Sequence, residues 1–143
     1  MKIRKATSND REELAVLMEQ LGYQTSIEQM EIRLAAIDAS PNHYTLVACD
    51  EKKVVGRIGF HTDFLYNKDG IYARIIAFVA DSTYRNRGGG RMLLAEVERF
   101  AKELGVVGIG LNSGNRPERA NAHQFYNKMG YDAASTGFSK ILT

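Results

Sequence analysis

Apolar residues recur along this chain in two spacings, and the switches between them mark out its elements. Met1 to Ala6 alternates and predicts a short strand. Leu14, Leu17, Met18 and Leu21 then fall on one face of a helix, with N-cap candidates in Thr7-Ser8-Asn9-Asp10. A second helix follows. Ser26 and Gln29 have the spacing of a capping box, and Ile27, Met30, Leu34 and Ile37 form its apolar stripe. His43 to Cys49 and Val54 to His61 read as strands joined by the polar turn Asp50-Glu51-Lys52-Lys53. Thr62 to Gly70 reads as a loop and Ile71 to Ala80 as a long strand. Arg91 to Leu104 is amphipathic with helical spacing, and Val106 to Leu111 is another strand. Ser113 to Glu118, with Pro117, is a loop before a short helix that ends at Gly130. A last pair of strands is expected over Tyr131 to Ala134 and Phe138 to Leu142, with Gly137 near their turn. The order is β-α-α-β-β-β-α-β-α-β-β.

Its 143 residues fit one domain, spanning 1–143, with a single core. A net charge of +2 with no Lys/Arg block argues against nucleic acid or a membrane surface as partner. The lone Cys49 lies in an apolar run and predicts a buried, inert thiol in a reducing compartment. No run of 18 apolar residues and no signal-peptide core is present, so a soluble, cytoplasmic protein is expected. His43, His61 and His123 are scattered, none beside a second ligand at metal spacing, and no metal is expected.

The candidate chemistry begins where the long strand ends. Arg85-Asn86-Arg87-Gly88-Gly89-Gly90-Arg91 joins that strand to an amphipathic helix. Such a bend presents backbone N–H groups at a helix N-terminus, uncrowded by Cβ atoms and backed by the helix dipole. With arginines on both sides, it suits a pyrophosphate or similar dense anion. No Lys-Ser or Lys-Thr follows the glycines, which excludes a P-loop. Leu93 stands where a dinucleotide fingerprint needs its last glycine. In the late helix, Phe125 and Met129 share one face and Ala122 and Tyr126 an adjacent stripe, and Gly130 suits a left-handed helix stop.

The pattern Arg85-x-x-Gly88-x-Gly90 after a strand resembles the coenzyme A loop of the GCN5-related N-acetyltransferases. Ala122, Phe125, Tyr126, Gly130 and Tyr131 resemble that family's late helix and its Gly-aromatic ending. The resemblance is anchored over Ile71 to Leu142. It implies a mixed α/β fold: a mostly antiparallel central sheet, splayed between its fourth and fifth strands around acyl-CoA and flanked by about four helices. It also implies an enzyme moving the acetyl group of acetyl-CoA to a primary amine in a ternary complex. By the same resemblance Arg85, Arg87, Gly88, Gly89, Gly90 and Arg91 surround the pyrophosphate. The main chain at Phe78 and Val79 pairs with the pantetheine arm, the Val79 amide serves as oxyanion donor, and Tyr126 is the general acid.

The chain departs from that family in ways that bear on the acceptor. Arg74 to Val79 contains no carboxylate to act as general base; Asp81, His61 or a water chain would have to substitute. Arg119-x-x-Ala122-His123-x-Phe125-Tyr126 is similar to the aminoalkylphosphonate acetyltransferase branch. Arg57 and Arg74 fall on strands that would neighbour each other in a hairpin centred near Tyr66, where they would clamp a carboxylate or phosphonate. Asp63, with Tyr66 and Asp69, would attract an ammonium, and His61 lies close by in sequence. The expected partner is therefore a small zwitterionic amine, with a homodimer admitted. Two rival readings stand beside this one: a non-catalytic acyl-CoA-binding module and a peptide or protein N-acetyltransferase.

Overall fold

In a computed structural model, residues 1–84, 88–113 and 117–143 are described. The chain forms two compact units, Met1–Gly110 and Leu111–Thr143, taken in turn. In the first, β1 (Lys2–Lys5) leads through a single 3-10 turn to α1 (Arg11–Leu21) and α2 (Ile27–Ala39). Strands β2 (His43–Asp50), β3 (Lys53–Phe64) and β4 (Ile71–Ala80) follow, then α3 (Gly89–Glu103) and β5 (Val106–Leu111). The strands lie side by side in chain order, and the β1–β2, β2–β3 and β3–β4 pairs are antiparallel. Strand β3 runs three residues beyond its expected end at His61.

Alternation along β3 sends successive residues to opposite faces. One face packs on α1 and α2, where Leu14, Leu17, Met30 and Leu34 meet Val47, Cys49, Val54 and Val79. The other packs on α3. There Phe100 closes a ring cluster with the cross-strand pair Tyr44 and Phe60, at centroid distances of 5.1 and 6.0 Å, and Leu93, Leu94 and Val97 are fully buried. Cys49 is buried, as its surroundings in the sequence imply.

Two register breaks interrupt the sheet. At Ala48/Cys49, residue Val55 is extra on β3, and the Val54 amide donates to the Glu13 carboxylate on α1 (2.7 Å). At Gly59/Phe60, residue Ile76 is extra on β4. Each is a β-bulge, which shifts the inward set of its strand by one position.

The helix starts follow the sequence. Ser26 and Gln29 form the full capping box of α2, the Ser26 hydroxyl accepting from the Gln29 amide and the Gln29 side chain from the Ser26 amide. Ahead of α1, the buried Asp10 carboxylate accepts two hydrogen bonds from the Arg4 guanidinium and one from the Thr7 amide, all 2.8 Å.

In the second unit, α4 (Ala120–Lys128) stops at Gly130, whose φ of +93° only glycine adopts readily. The Tyr131 amide donates to the Tyr126 carbonyl (2.9 Å) and the Gly130 amide to that of Asn127 (3.1 Å), which is a Schellman motif. The strands expected over Tyr131–Ala134 and Phe138–Leu142 are not formed. That backbone has no ladder, and Phe138, Ile141 and Leu142 stand almost fully exposed. An isolated two-stranded ribbon is marginal in water, whatever its apolar content.

Arg4 holds the Asp10 carboxyl below its usual range. A carboxylate depressed by folding lends stability that is present above its unfolded value and lost as pH falls through the folded one. Asp10→Asn should therefore cost about 1–2 kcal/mol at neutral pH, since Arg4 is partly solvated. It should also flatten the fall of melting temperature with pH below about 4. Thermal melts across pH check this; an unchanged acid slope would show that the pair does not carry it.

Candidate functional site

The exit of β4 is held by side chains from three elements. The Asp81 amide donates to the Val55 carbonyl (2.7 Å), continuing the β3–β4 ladder. The Asp81 carboxylate accepts from both the amide and the hydroxyl of Thr83 (2.9 and 2.7 Å), and the Ser82 amide donates to the Gln20 side chain on α1 (2.8 Å). Those Thr83 bonds hold the Asp81 carboxyl below its ordinary range. It is a turn cap with its acceptors in use, and its lowered proton affinity makes it a poor substitute for the missing general base.

Antiparallel alternation decides where the β4 amides point. Every second pair exchanges both ladder bonds, so with Asp81 bonded to Val55 the Val79 amide is directed at its partner Arg57. The Phe78 amide is directed to the other edge of β4. The Val79 amide is therefore turned into the β3 ladder, and the Phe78 amide faces the side on which β5 is the neighbouring strand.

Beyond the turn, Gly88 caps α3 in the left-handed region (φ +85°), with open space where a Cβ would stand. Among the described residues no side chain caps this helix start. The Gly88 carbonyl accepts from Met92 (2.9 Å), while Gly89, Gly90 and Arg91 supply the first-turn N–H groups that no helical carbonyl can reach. A dense anion fits these donors, with Gly88 and Gly90 allowing close approach. Arg91 is exposed on the first turn. Arg85 and Arg87 lie outside the described residues.

On the α1–α2 face of the sheet lies a cleft of about 470 Å³, a size suited to a small molecule. Met18, Leu21, Gly22, Tyr23 and Gln24 line it from the end of α1 and the following loop, Arg33 from α2, and Ile76 and Ala77 from the β4 bulge. Helix α1 ends at Gly22 in the same way as α4, the Tyr23 amide donating to the Met18 carbonyl (2.9 Å). That stop fixes Met18 in its last turn and turns Tyr23 and Gln24 toward the cleft.

The arginine clamp expected across the hairpin is not found. Arg57 pairs with Val79, and Arg74 pairs with His61, on the far side of the bulge. The true loop centre and the extra Ile76 displace one arginine from the other along the sheet. Arg57 is 6% exposed and its Nη2 donates to the Met18 Sδ (2.8 Å). His61 stacks on His43 with ring centroids 5.2 Å apart, and the Ser40 hydroxyl lies 2.7 Å from His43 Nδ1. Asp63 ends up near the tip of the β3–β4 hairpin, exposed, accepting from the Phe64 amide (2.8 Å). Neither it nor Tyr66 nor Asp69 lines the cleft.

Sequence reasoning missed the contributions of Met18, Tyr23, Gln24 and Arg33. The signal was Gly22 at the end of an amphipathic helix, followed by a polar loop with no hydrophobic anchor until Ile27.

In the second unit, Tyr126 is the residue whose carbonyl the Schellman motif engages. Its ring meets those of Phe125 and Tyr131 edge-on, at 5.5 and 6.3 Å. The Gly130-Tyr131 ending thus locks the helix turn that carries Tyr126. Burial raises the phenol above its ordinary value of 10.0, with Arg119 pulling weakly the other way. A phenol in that state stays protonated at neutral pH and is a weaker acid than a free one, so any proton it gives must be drawn by proximity. Among the described residues, no three His, Cys, Asp or Glu side chains converge as a metal site.

Comparison with known proteins gives the same picture. The model of the acetyltransferase (GNAT) family matches residues 12–131. An aminoalkylphosphonate N-acetyltransferase of Salmonella typhimurium is 28% identical over 141 residues, covering 98% of this chain and 90% of that protein. The crystal structure of a GNAT family acetyltransferase of Staphylococcus aureus superposes with a TM-score of 0.85 at 34% identity, covering 99% of this chain and 98% of the other. A glucosamine-6-phosphate N-acetyltransferase from Arabidopsis thaliana has the same fold, with a TM-score of 0.85 at 23% identity over 99% of this chain and 98% of its own. With an uncapped glycine helix start after β4, a cleft at the β4 bulge and a match over most of its length, this chain belongs to the acetyltransferase (GNAT) family.

Proposed function

We propose that this protein, acting as one acetyltransferase domain, transfers the acetyl group of acetyl-CoA to the primary amine of a small molecule, directly, in a ternary complex. The observation that carries the reading is that one strand borders both candidate sites. Strand β4 leads at one end into the uncapped N-terminus of α3, and its bulge forms a wall of the 470 Å³ cleft. The nucleotide end of acetyl-CoA binds at Gly88–Arg91, with Arg85 and Arg87 adding positive charge, and the acceptor binds in the cleft. Acetyl-CoA supplies an acetyl thioester activated toward amines. In this reading a main-chain amide of β4, at Phe78 or Val79, donates to the oxygen on which charge develops. The neutral amine attacks the thioester carbonyl, the C–S bond breaks, and Tyr126 gives its proton to the departing thiolate. The proton lost from the amine nitrogen goes to water or back to the phenolate, with proximity offsetting the weak acidity of a buried phenol. The acceptor in this reading is a short zwitterion such as an aminoalkylphosphonate or an amino acid. Binding two substrates side by side on β4 converts the reaction into one between pre-positioned groups.

Thiol release with acetyl-CoA and a panel of small amines tests the reading; acetylation of peptides alone, or of nothing despite tight acetyl-CoA binding, overturns it. Two variants test its parts. Gly90→Asp places a carboxylate against the pyrophosphate and should weaken acetyl-CoA by about ten-fold or more, a loss of about 1.4 kcal/mol. Calorimetry finding unchanged affinity in a folded protein would move the nucleotide elsewhere. Tyr126→Phe should lower kcat by about 10²-fold while the KM for acetyl-CoA stays nearly constant. Equal kcat in the two proteins would return Tyr126 to a packing role.

A further inference from the structure

Arg57 is a buried cation with no carboxylate beside it among the described residues. Its cross-strand neighbours on that face are Val47 and Val79, both buried and apolar. Its Nε is buried with no hydrogen-bond partner, and Nη2 reaches only the Met18 thioether. Sulfur is a weak acceptor, and a buried charge left with weak partners is costly. Nε and Nη2 together form the edge of the guanidinium that grips an oxyanion with two parallel bonds. At Nη2 that edge meets Met18, a flexible side chain that also lines the cleft. Across the cleft, Arg33 is held only by a long contact to the Thr25 hydroxyl (3.4 Å) among the described residues.

We propose that Arg57 and Arg33 form the receptor for the anionic end of the acceptor, with Met18 as a displaceable cap. A carboxylate or phosphonate entering the cleft replaces the Met18 sulfur on the Nε–Nη2 edge of Arg57, and Arg33 approaches from the rim. The inference rests on the acetyl-transfer reading and names the acceptor's class.

Two measurements on the intact protein decide the matter. The first is the ratio of kcat/KM for 2-aminoethylphosphonate to that for n-propylamine, at saturating acetyl-CoA. Arg57→Met keeps the site packed and should collapse this ratio by about 100-fold, and the surface change Arg33→Gln should lower it by about ten-fold. An unchanged ratio in both variants overturns the receptor, as does an equal loss for the two amines. The second needs no turnover. Methylphosphonate added to wild type with ¹³C-labelled methionine methyls should shift the Met18 resonance saturably, and Arg57→Met should abolish the shift. A Met18 signal that does not move overturns the proposal even if amines are acetylated. A saturable shift in a protein that acetylates no amine leaves the anion receptor standing and removes the acetyl-transfer reading instead.

Discussion

The extra residue at Ile76 is the constraint on which the site depends. Before the break, Arg57, Gly59, Ala77 and Val79 share the face toward α1; after it, Ile75 pairs with Phe60 and points to α3. Without the bulge, Ile75 would leave the α3 core for the opposite face, because a one-residue slip reverses every side chain of a strand. The α3 core, with its Tyr44–Phe60–Phe100 ring cluster, therefore specifies the register on one side. The leftover residue is put at the cleft, where Ile76 is half exposed and Ala77 is small. Packing energy on the α3 face is thus what shapes the opening on the other.

Two helix stops, one in each unit, share the same local chemistry. A left-handed glycine after α1 places Met18 in the final turn and swings Tyr23 and Gln24 to the cleft, and one after α4 holds the turn bearing Tyr126. In each case a residue named for its side chain is fixed by its own backbone carbonyl. Strand β4 is fixed in turn by Asp81, whose carboxylate caps the next turn, and by Gln20 reaching over from α1. Arg57 runs against this pattern of satisfied groups: local packing does not require a guanidinium there, and its Nε is unmatched. Conflicts of this kind between burial and chemistry concentrate where function sets the residue.

Much of the fold was legible in the sequence. Strand β4 falls on its expected bounds because ten apolar-rich residues lie between a glycine and an aspartate. The capping box at Ser26 and the stop at Gly130 depend on only a few neighbouring residues. The bulges were not legible, since an extra Val55 or Ile76 in an already apolar run leaves composition and local propensity unchanged. From that followed the misplaced pairing of Arg57 with Arg74. The tail strands were read from apolar content alone, which says nothing about whether a partner strand is present.

The central claim is that β4 meets the acetyl donor on the side away from β3, where the Phe78 amide points. Residue-resolved amide hydrogen exchange with and without saturating acetyl-CoA tests it most directly. The account predicts that the Phe78 amide slows on binding together with those of Gly89 and Gly90, while Val79, already turned into the β3 ladder, changes little. Slowing at Val79 with no change at Phe78 would contradict it.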